Sequence, residues 1–168
     1  DARGHGDSDW AGDGDYDHAA MAHDLQRVMH ALGAERPALV GASLGGGTAL
    51  FAIGQGLVQS SALVLVDVAP HIENDGVDRI RDFMDQSPQG FDSLQSVAEA
   101  IASYQPHRAR PRRLDGIAKN VRMGADGRYR WHWDPAYRAA HVDLQHRRDL
   151  LAGCARRVTV PTLLVRGL

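Results

Sequence analysis

An α/β architecture, with a parallel sheet flanked by helices and a mostly helical insertion, is what the 168 residues predict. Three features carry that prediction. Short apolar runs at 38–42 and 62–67 alternate with segments of helical periodicity, the order of a βαβ chain. The second run, ALVLVD, is continuous rather than alternating, as in a parallel strand covered on both faces. From 71 to 156 strand signals nearly vanish, and they return in VTVPTLLVRGL at 158–168. The chain is therefore expected to divide into a partial core at 1–70, a helical cap at 71–156 and a returning core strand at 157–168.

Each element has its own local reason. Residues 1–17 are rich in Gly and Asp and read as a loop. Met21, Leu25, Val28 and Leu32 repeat at helical spacing over 18–32, and Gly33 is placed to stop that helix. Pro37 precedes the strand at 38–42, a glycine-rich helix follows, and the strand at 62–67 comes next. In the insertion, Val77, Ile80, Phe83 and Met84 mark one amphipathic helix. Leu94, Val97, Ala98 and Ile101 mark another, with Asp92 and Gln95 at capping-box spacing ahead of it. After a basic turn at 107–113, an Asp126-Gly127 turn lies in a stretch of alternating residues. If that stretch is extended, Tyr129, Trp131 and Trp133 share a face, and two readings stand for them: an apolar wall over Ser43 or a minor core of the cap. A last helix is expected over 142–155.

Composition narrows the function. With 19 basic against 21 acidic side chains and the arginines scattered, neither nucleic acid nor a membrane surface is indicated as a partner. The single cysteine, Cys154, cannot build a disulfide framework. No apolar run approaches the roughly 18 residues that span a bilayer, and no signal peptide opens the sequence, so a cytoplasmic setting is the default.

The chemistry concentrates at ALVGASLGGGTAL, 38–50. Gly41, Ser43 and Gly45 form G-x-S-x-G between an expected strand and an expected helix, the context of a nucleophile elbow. A chain that reverses sharply at Ser43 brings its flanking residues against neighbouring backbone, and glycine avoids the collision. The helix starting at Leu44 aims unpaired N–H groups back at the turn, so the Leu44 N–H is the expected oxyanion donor. Gly46 and Gly47 each cost the helix roughly 1 kcal/mol relative to alanine, which fits close packing on the sheet. Two other readings stand beside this one. Ser43 alone is also a common N-cap. A phosphate-cradling loop would need either Gly-Lys-Ser/Thr or G-x-G-x-x-G, and the stretch has neither.

DARGHGDSD at the start, GASLGG at the elbow, ALVLVDVAP and VTVPTLLVRG together resemble the α/β-hydrolase superfamily along the whole chain. RGHGDSDW with LVLVDVAP and WHWDP is most similar to its cofactor-free, non-haem peroxidase-like and esterase-like branch. The resemblance implies a partial α/β-hydrolase fold, a Ser-His-Asp triad acting on ester or related carbonyl bonds of a small molecule, and neither cofactor nor metal. It also implies three earlier strands, a second oxyanion donor, and a triad acid and histidine beyond Leu168, so the sequence is expected to be an inactive fragment of a longer enzyme. Asp67 has two readings: the acid, as in branches that place it after the sixth strand, or a cap for the following turn. The histidines present, His5 and His18 among them, are expected to be packing or solvated residues. Asp7, Asp9, Asp13, Asp15 and Asp17 lack the spacing of a calcium loop and read as a solvated turn. His132 is too isolated for a metal site. The alternatives are a non-catalytic ligand-binding or scaffolding member, or a peroxidase or perhydrolase using the same serine.

Overall fold

The computed structural model describes residues 1–68, 74–106, 114–139 and 143–166. After the opening loop come α1 (His18–Ala31), β1 (Ala38–Ala42), α2 (Ser43–Gly54) and β2 (Ala62–Val66). Then follow α3 (Asn74–Met84), α4 (Leu94–Tyr104), the single-turn α5 (Asp115–Ala118), a hairpin of β3 (Val121–Met123) and β4 (Tyr129–Trp131), α6 (Pro135–Ala139), α7 (Leu144–Ala155) and β5 (Thr162–Val165). The basic turn expected at 107–113 lies outside the described residues.

The parallel sheet runs β1-β2-β5, with Ala42 opposite Val66 and Val66 opposite Val165 at its C-terminal edge. Helices α1, α2 and α7 lie on one face. Ala22, Met29, Leu50, Phe51, Leu63, Leu65, Leu151 and Cys154 form the core between these layers. Its density depends on glycine at one contact: a Cβ on Gly54 would meet Cys154 Cβ at 2.5 Å, so α7 approaches α2 at backbone distance only because Gly54 has none. α2 runs in the same direction as both neighbours. His18 abuts Gly47 and Gln26 donates to the Leu57 carbonyl at 2.7 Å, while Arg147 lies by Gly47 and Cys154 by Gly54. All three N-termini therefore gather at the edge where β1 ends.

The opposite face of the sheet differs from expectation. Val40, Val64 and Leu163 are register partners on it, and Val40 and Leu163 are 71% and 58% exposed. Among the described residues no element packs there, so ALVLV is covered on one face, with Leu63 and Leu65 buried and Ala62, Val64 and Val66 half-buried. The apolar stripe of α1 is likewise covered only in part: Met21 is buried, whereas Val28 and Leu32 are exposed.

A second, smaller core joins Phe91, Val97, Ile117 and Val121, with Tyr129 and Trp131 against it. Helix α4 is capped one residue later than its spacing suggests: the Ser93 hydroxyl accepts from the Ser96 N–H at 3.1 Å, and Asp92 instead pairs with Arg128. Arg128 also donates to the Gln89 and Gly90 carbonyls at 2.8 and 2.7 Å, tying the loop before α4 to the hairpin. At the hairpin turn Gly127 takes φ +74°, the left-handed region that the Asp-Gly pair anticipates.

Candidate active site

β1 delivers its last residue to the C-terminal edge of the sheet, and the chain turns directly into α2. At that junction Ser43 has φ +47°, a left-handed conformation that a non-glycine residue adopts at a cost. The turn is tight because of two glycines. A Cβ on Gly41 would lie 2.6 Å from the Gly45 carbonyl group and Gly46 Cα, and one on Gly46 would lie 2.8 Å from Gly41 O and from Val68 Cγ2. Gly45 corrects the reading from the motif: a Cβ there would meet nothing within 4 Å, so the close approach belongs to Gly41 and Gly46. Gly47 packs not on the sheet but on His18, whose Nε2 would lie 3.0 Å from a Cβ at that position.

Ser43 is exposed, and helix α2 has Ala42 at its N-cap with no side-chain capping bond. The hydroxyl is thus not spent on the helix end. Leu44 is half-buried in the first turn, where helix geometry leaves its N–H without an intrahelical acceptor. Its carbonyl accepts from the Thr48 hydroxyl at 2.9 Å, which braces that turn.

Asp67 leaves β2 beside Ser43, since Ala42 and Val66 are register partners one residue earlier. It too is left-handed, at φ +52°. Its N–H donates to the Val165 carbonyl at 2.7 Å, and its exposed carboxylate has no hydrogen-bond partner among the described residues; the turn it would cap runs into 69–73, outside the described residues. Three non-glycine residues have positive φ among the described ones, and two of them, Ser43 and Asp67, stand side by side at this edge.

The opening loop clamps the small core onto the large one. Arg3 forks onto Asp24 of α1 at 2.5 and 2.8 Å. The Gly6 N–H donates to the His132 carbonyl at 2.9 Å and the Asp134 N–H to the Gly4 carbonyl at 2.7 Å. The Tyr16 hydroxyl accepts from the Ala11 N–H at 2.9 Å and donates to the buried Asp134 carboxylate. Tyr137 completes the joint, its ring 4.9 Å from that of His5 and 5.6 Å from that of Tyr16. The acidic residues of this loop serve the backbone: Asp13 and Asp15 accept from N–H groups two residues on, Asp17 caps α1, and Asp7 pairs with Arg122 at 2.7 Å.

No described histidine bonds to Ser43. His5 Nδ1 lies 3.0 Å from the Arg3 carbonyl, and His18 is half-buried, its pKa lowered to about 4 by desolvation and then by the Arg147 charge. Trp131 and Trp133 stack with centroids 5.1 Å apart and planes 12° apart. They wall a cavity of about 780 Å³ shared with His5, Phe83 and Tyr104. Leu44 and Gly45 line a different cleft of about 730 Å³ with Trp10, Met21 and Val40, and Tyr129 belongs to the second core. The expected wall over the serine is therefore a wall over a neighbouring cavity. Tyr137 and Arg147, which the sequence did not single out, gather with His18 around Gly47 and the Tyr16 joint through contacts between distant segments.

Residues 1–132 match the model of a family described as alpha/beta hydrolase fold. The sequence is 33% identical over 141 residues to the esterase Rv0045c of Mycobacterium tuberculosis, spanning 80% of this chain and 47% of that protein. A crystal structure of that esterase aligns with a TM-score of 0.70 at 27% identity, over 100% of this chain and 68% of the solved one. A 70-residue stretch is 43% identical to the mouse sn-1-specific diacylglycerol lipase ABHD11, covering 42% of this chain and 22% of the lipase. The crystal structure of an E-2-(acetamidomethylene)succinate hydrolase aligns with a TM-score of 0.79 at 28% identity, over 99% of this chain and 61% of that one. The chain thus spans about half the length of the curated esterase it matches or less than a quarter of the lipase. With the family match over most of its length and the elbow geometry in agreement, the chain belongs to the alpha/beta hydrolase fold family.

Proposed function

We propose that these residues form the nucleophile-bearing part of a serine hydrolase that acts on ester or related carbonyl bonds of a small molecule. One observation carries this reading: a serine held at φ +47° between a strand and a helix, with glycine on both sides where backbone approaches closest. Strain of this kind, on an exposed hydroxyl that caps nothing, has no structural use in the fold. The esterases and hydrolases to which the chain is similar support it.

In this reading Ser43 Oγ attacks the carbonyl carbon while a base takes its proton. The carbonyl oxygen becomes an oxyanion that accepts from the Leu44 N–H, backed by the N-terminal dipole of α2. Collapse of the tetrahedral intermediate expels the alcohol, and water then releases the acid. Asp67 is the acid that orients the base, because it leaves the adjacent strand beside Ser43. No described histidine reaches Ser43, so in this reading the imidazole and the second oxyanion donor come from outside the described residues, and the lid is built on residues 74–106 and 114–139, clamped by the opening loop, with α7 returned to the core layer. Peroxide in place of water as acyl acceptor would give perhydrolase chemistry at the same serine.

The test is Ser43→Ala in the full-length protein. Turnover of short-chain esters is expected to fall by about three orders of magnitude or more, as when a triad nucleophile is lost. Unchanged turnover refutes the assignment.

A further inference from the structure

Among the described residues Arg147 is a charged side chain without a counter-charge. It lies half-buried near the start of α7, and its Nε is closed off from solvent with no hydrogen-bond partner. Desolvation works against its charge, and among the described residues the Tyr137 phenol works for it and no carboxylate contributes. Other arginines behave differently: Arg3, Arg122, Arg128 and Arg130 each pair with a carboxylate. A second orphan faces it. His18 Nε2 is also buried and unpartnered, on a ring kept neutral at pH 7.

Both groups converge on one point of α2. A Cβ on Gly47 would lie 3.0 Å from His18 Nε2 and 4.0 Å from Arg147 Nη2, so the absence of a side chain at Gly47 leaves room for them. Gly47 follows Ser43 by four residues, which is one helical turn, or about 6 Å along the axis. The N-termini of α1, α2 and α7 meet at this end. Asp17 and Asp143 cap the first and last, whereas α2 has no side-chain cap. The potential here favours an anion, and burying an arginine unpaired destabilises a fold unless something else is served.

We propose that Arg147 and His18 form a carboxylate-binding site one turn from Ser43, so that the acyl part of the substrate carries an anionic carboxylate. The guanidinium holds the carboxylate and the neutral imidazole donates from Nε2 as the Nε2–H tautomer. The one-turn separation corresponds to about two or three methylenes between that carboxylate and the scissile carbonyl. The site depends on the serine-hydrolase reading only for its ligand being a substrate.

Monomethyl and dimethyl glutarate, which differ in the charge at the far end, provide the probe in the full-length protein. The ratio of their kcat/KM values is expected to favour the monoester by about tenfold or more, as for a charge-assisted contact. It should fall to near one in Arg147→Met and be partly kept in Arg147→Lys. Glutarate itself should bind the wild type in a calorimetric titration and lose that binding in Arg147→Met. A wild-type ratio at or below one, or a ratio undiminished in Arg147→Met, overturns the proposal; if the methionine variant does not fold, the wild-type ratio and the lysine variant decide. Should Ser43→Ala still hydrolyse both esters, or the wild type neither, the hydrolase reading fails instead. The glutarate titration then decides the carboxylate site alone: Arg147-dependent heat supports it, and no heat or equal heat overturns it.

Discussion

Alanine at two adjacent glycines of α2 should have opposite effects. At Gly46 a Cβ would lie 2.8 Å from both Gly41 O and Val68 Cγ2, and the first of these is backbone that cannot swing aside. At Gly45 nothing lies within 4 Å, and its φ is not in the positive region. Alanine is favoured over glycine by about 1 kcal/mol in a helix interior and by less near the N-terminus, so Gly45→Ala should stabilise by about 0.5 kcal/mol. Overpacking costs about 1–3 kcal/mol, so after the propensity gain Gly46→Ala should lose about 1–2 kcal/mol. At about 2–4 °C per kcal/mol for a domain of this size, the two melting temperatures should differ by about 3–10 °C. Thermal unfolding followed by circular dichroism measures this. Equal stability of the two variants, or a less stable Gly45→Ala, would refute the reasoning that Gly46 rather than Gly45 makes the turn tight.

Three further outcomes follow from the same contacts. Tyr16→Phe removes one donor from a carboxylate that is 6% exposed, and should cost about 1–3 kcal/mol in denaturant unfolding; a loss under about 0.5 kcal/mol would contradict the clamp. His18 titrates at about 4 in the folded chain against 6.5 unfolded, so the unfolded state gains a proton first and His18 subtracts stability as pH falls through that window, with no effect above it. His18→Leu should therefore show a smaller fall in melting temperature from about pH 7 to about pH 5 than the wild type, and identical profiles would contradict the half-buried neutral ring. The 168-residue chain by itself should self-associate through β1 and the face bearing Val40 and Leu163, which are 71% and 58% exposed; Val40→Lys should reduce light scattering, and a monodisperse wild type would count against this.

How far the structure was legible depended on how local each cause was. Helix α1, the strands β1 and β2 and the Asp126-Gly127 turn rest on periodicity or turn chemistry within a few residues, and they stand where the sequence places them to within a residue or two. The cap of α4 slipped from Asp92 to Ser93 because both are good N-cap residues and Asp92 is drawn to Arg128, 36 positions away. Continuous apolarity in ALVLV did not reveal how many faces are covered, since that depends on which elements exist to cover them. The elbow was visible as G-x-S-x-G, but not the division of labour among Gly41, Gly45 and Gly46, which depends on where α2 tilts against β1. The Tyr16–Asp134 bond spans 118 positions, and the convergence of His18 and Arg147 on Gly47 joins three helices. Neither leaves a pattern in a window of sequence.

The central claim is that Ser43 is an activated nucleophile, and covalent labelling tests it most directly. The full-length protein, treated with a fluorophosphonate and digested, should yield a single modified peptide carrying the adduct at Ser43, with labelling abolished in Ser43→Ala and strongly slowed in Asp67→Asn. The 168-residue chain alone, in which no described histidine reaches Ser43, should not label. No adduct on the full-length protein, or an adduct at another residue that persists in Ser43→Ala, would contradict the account.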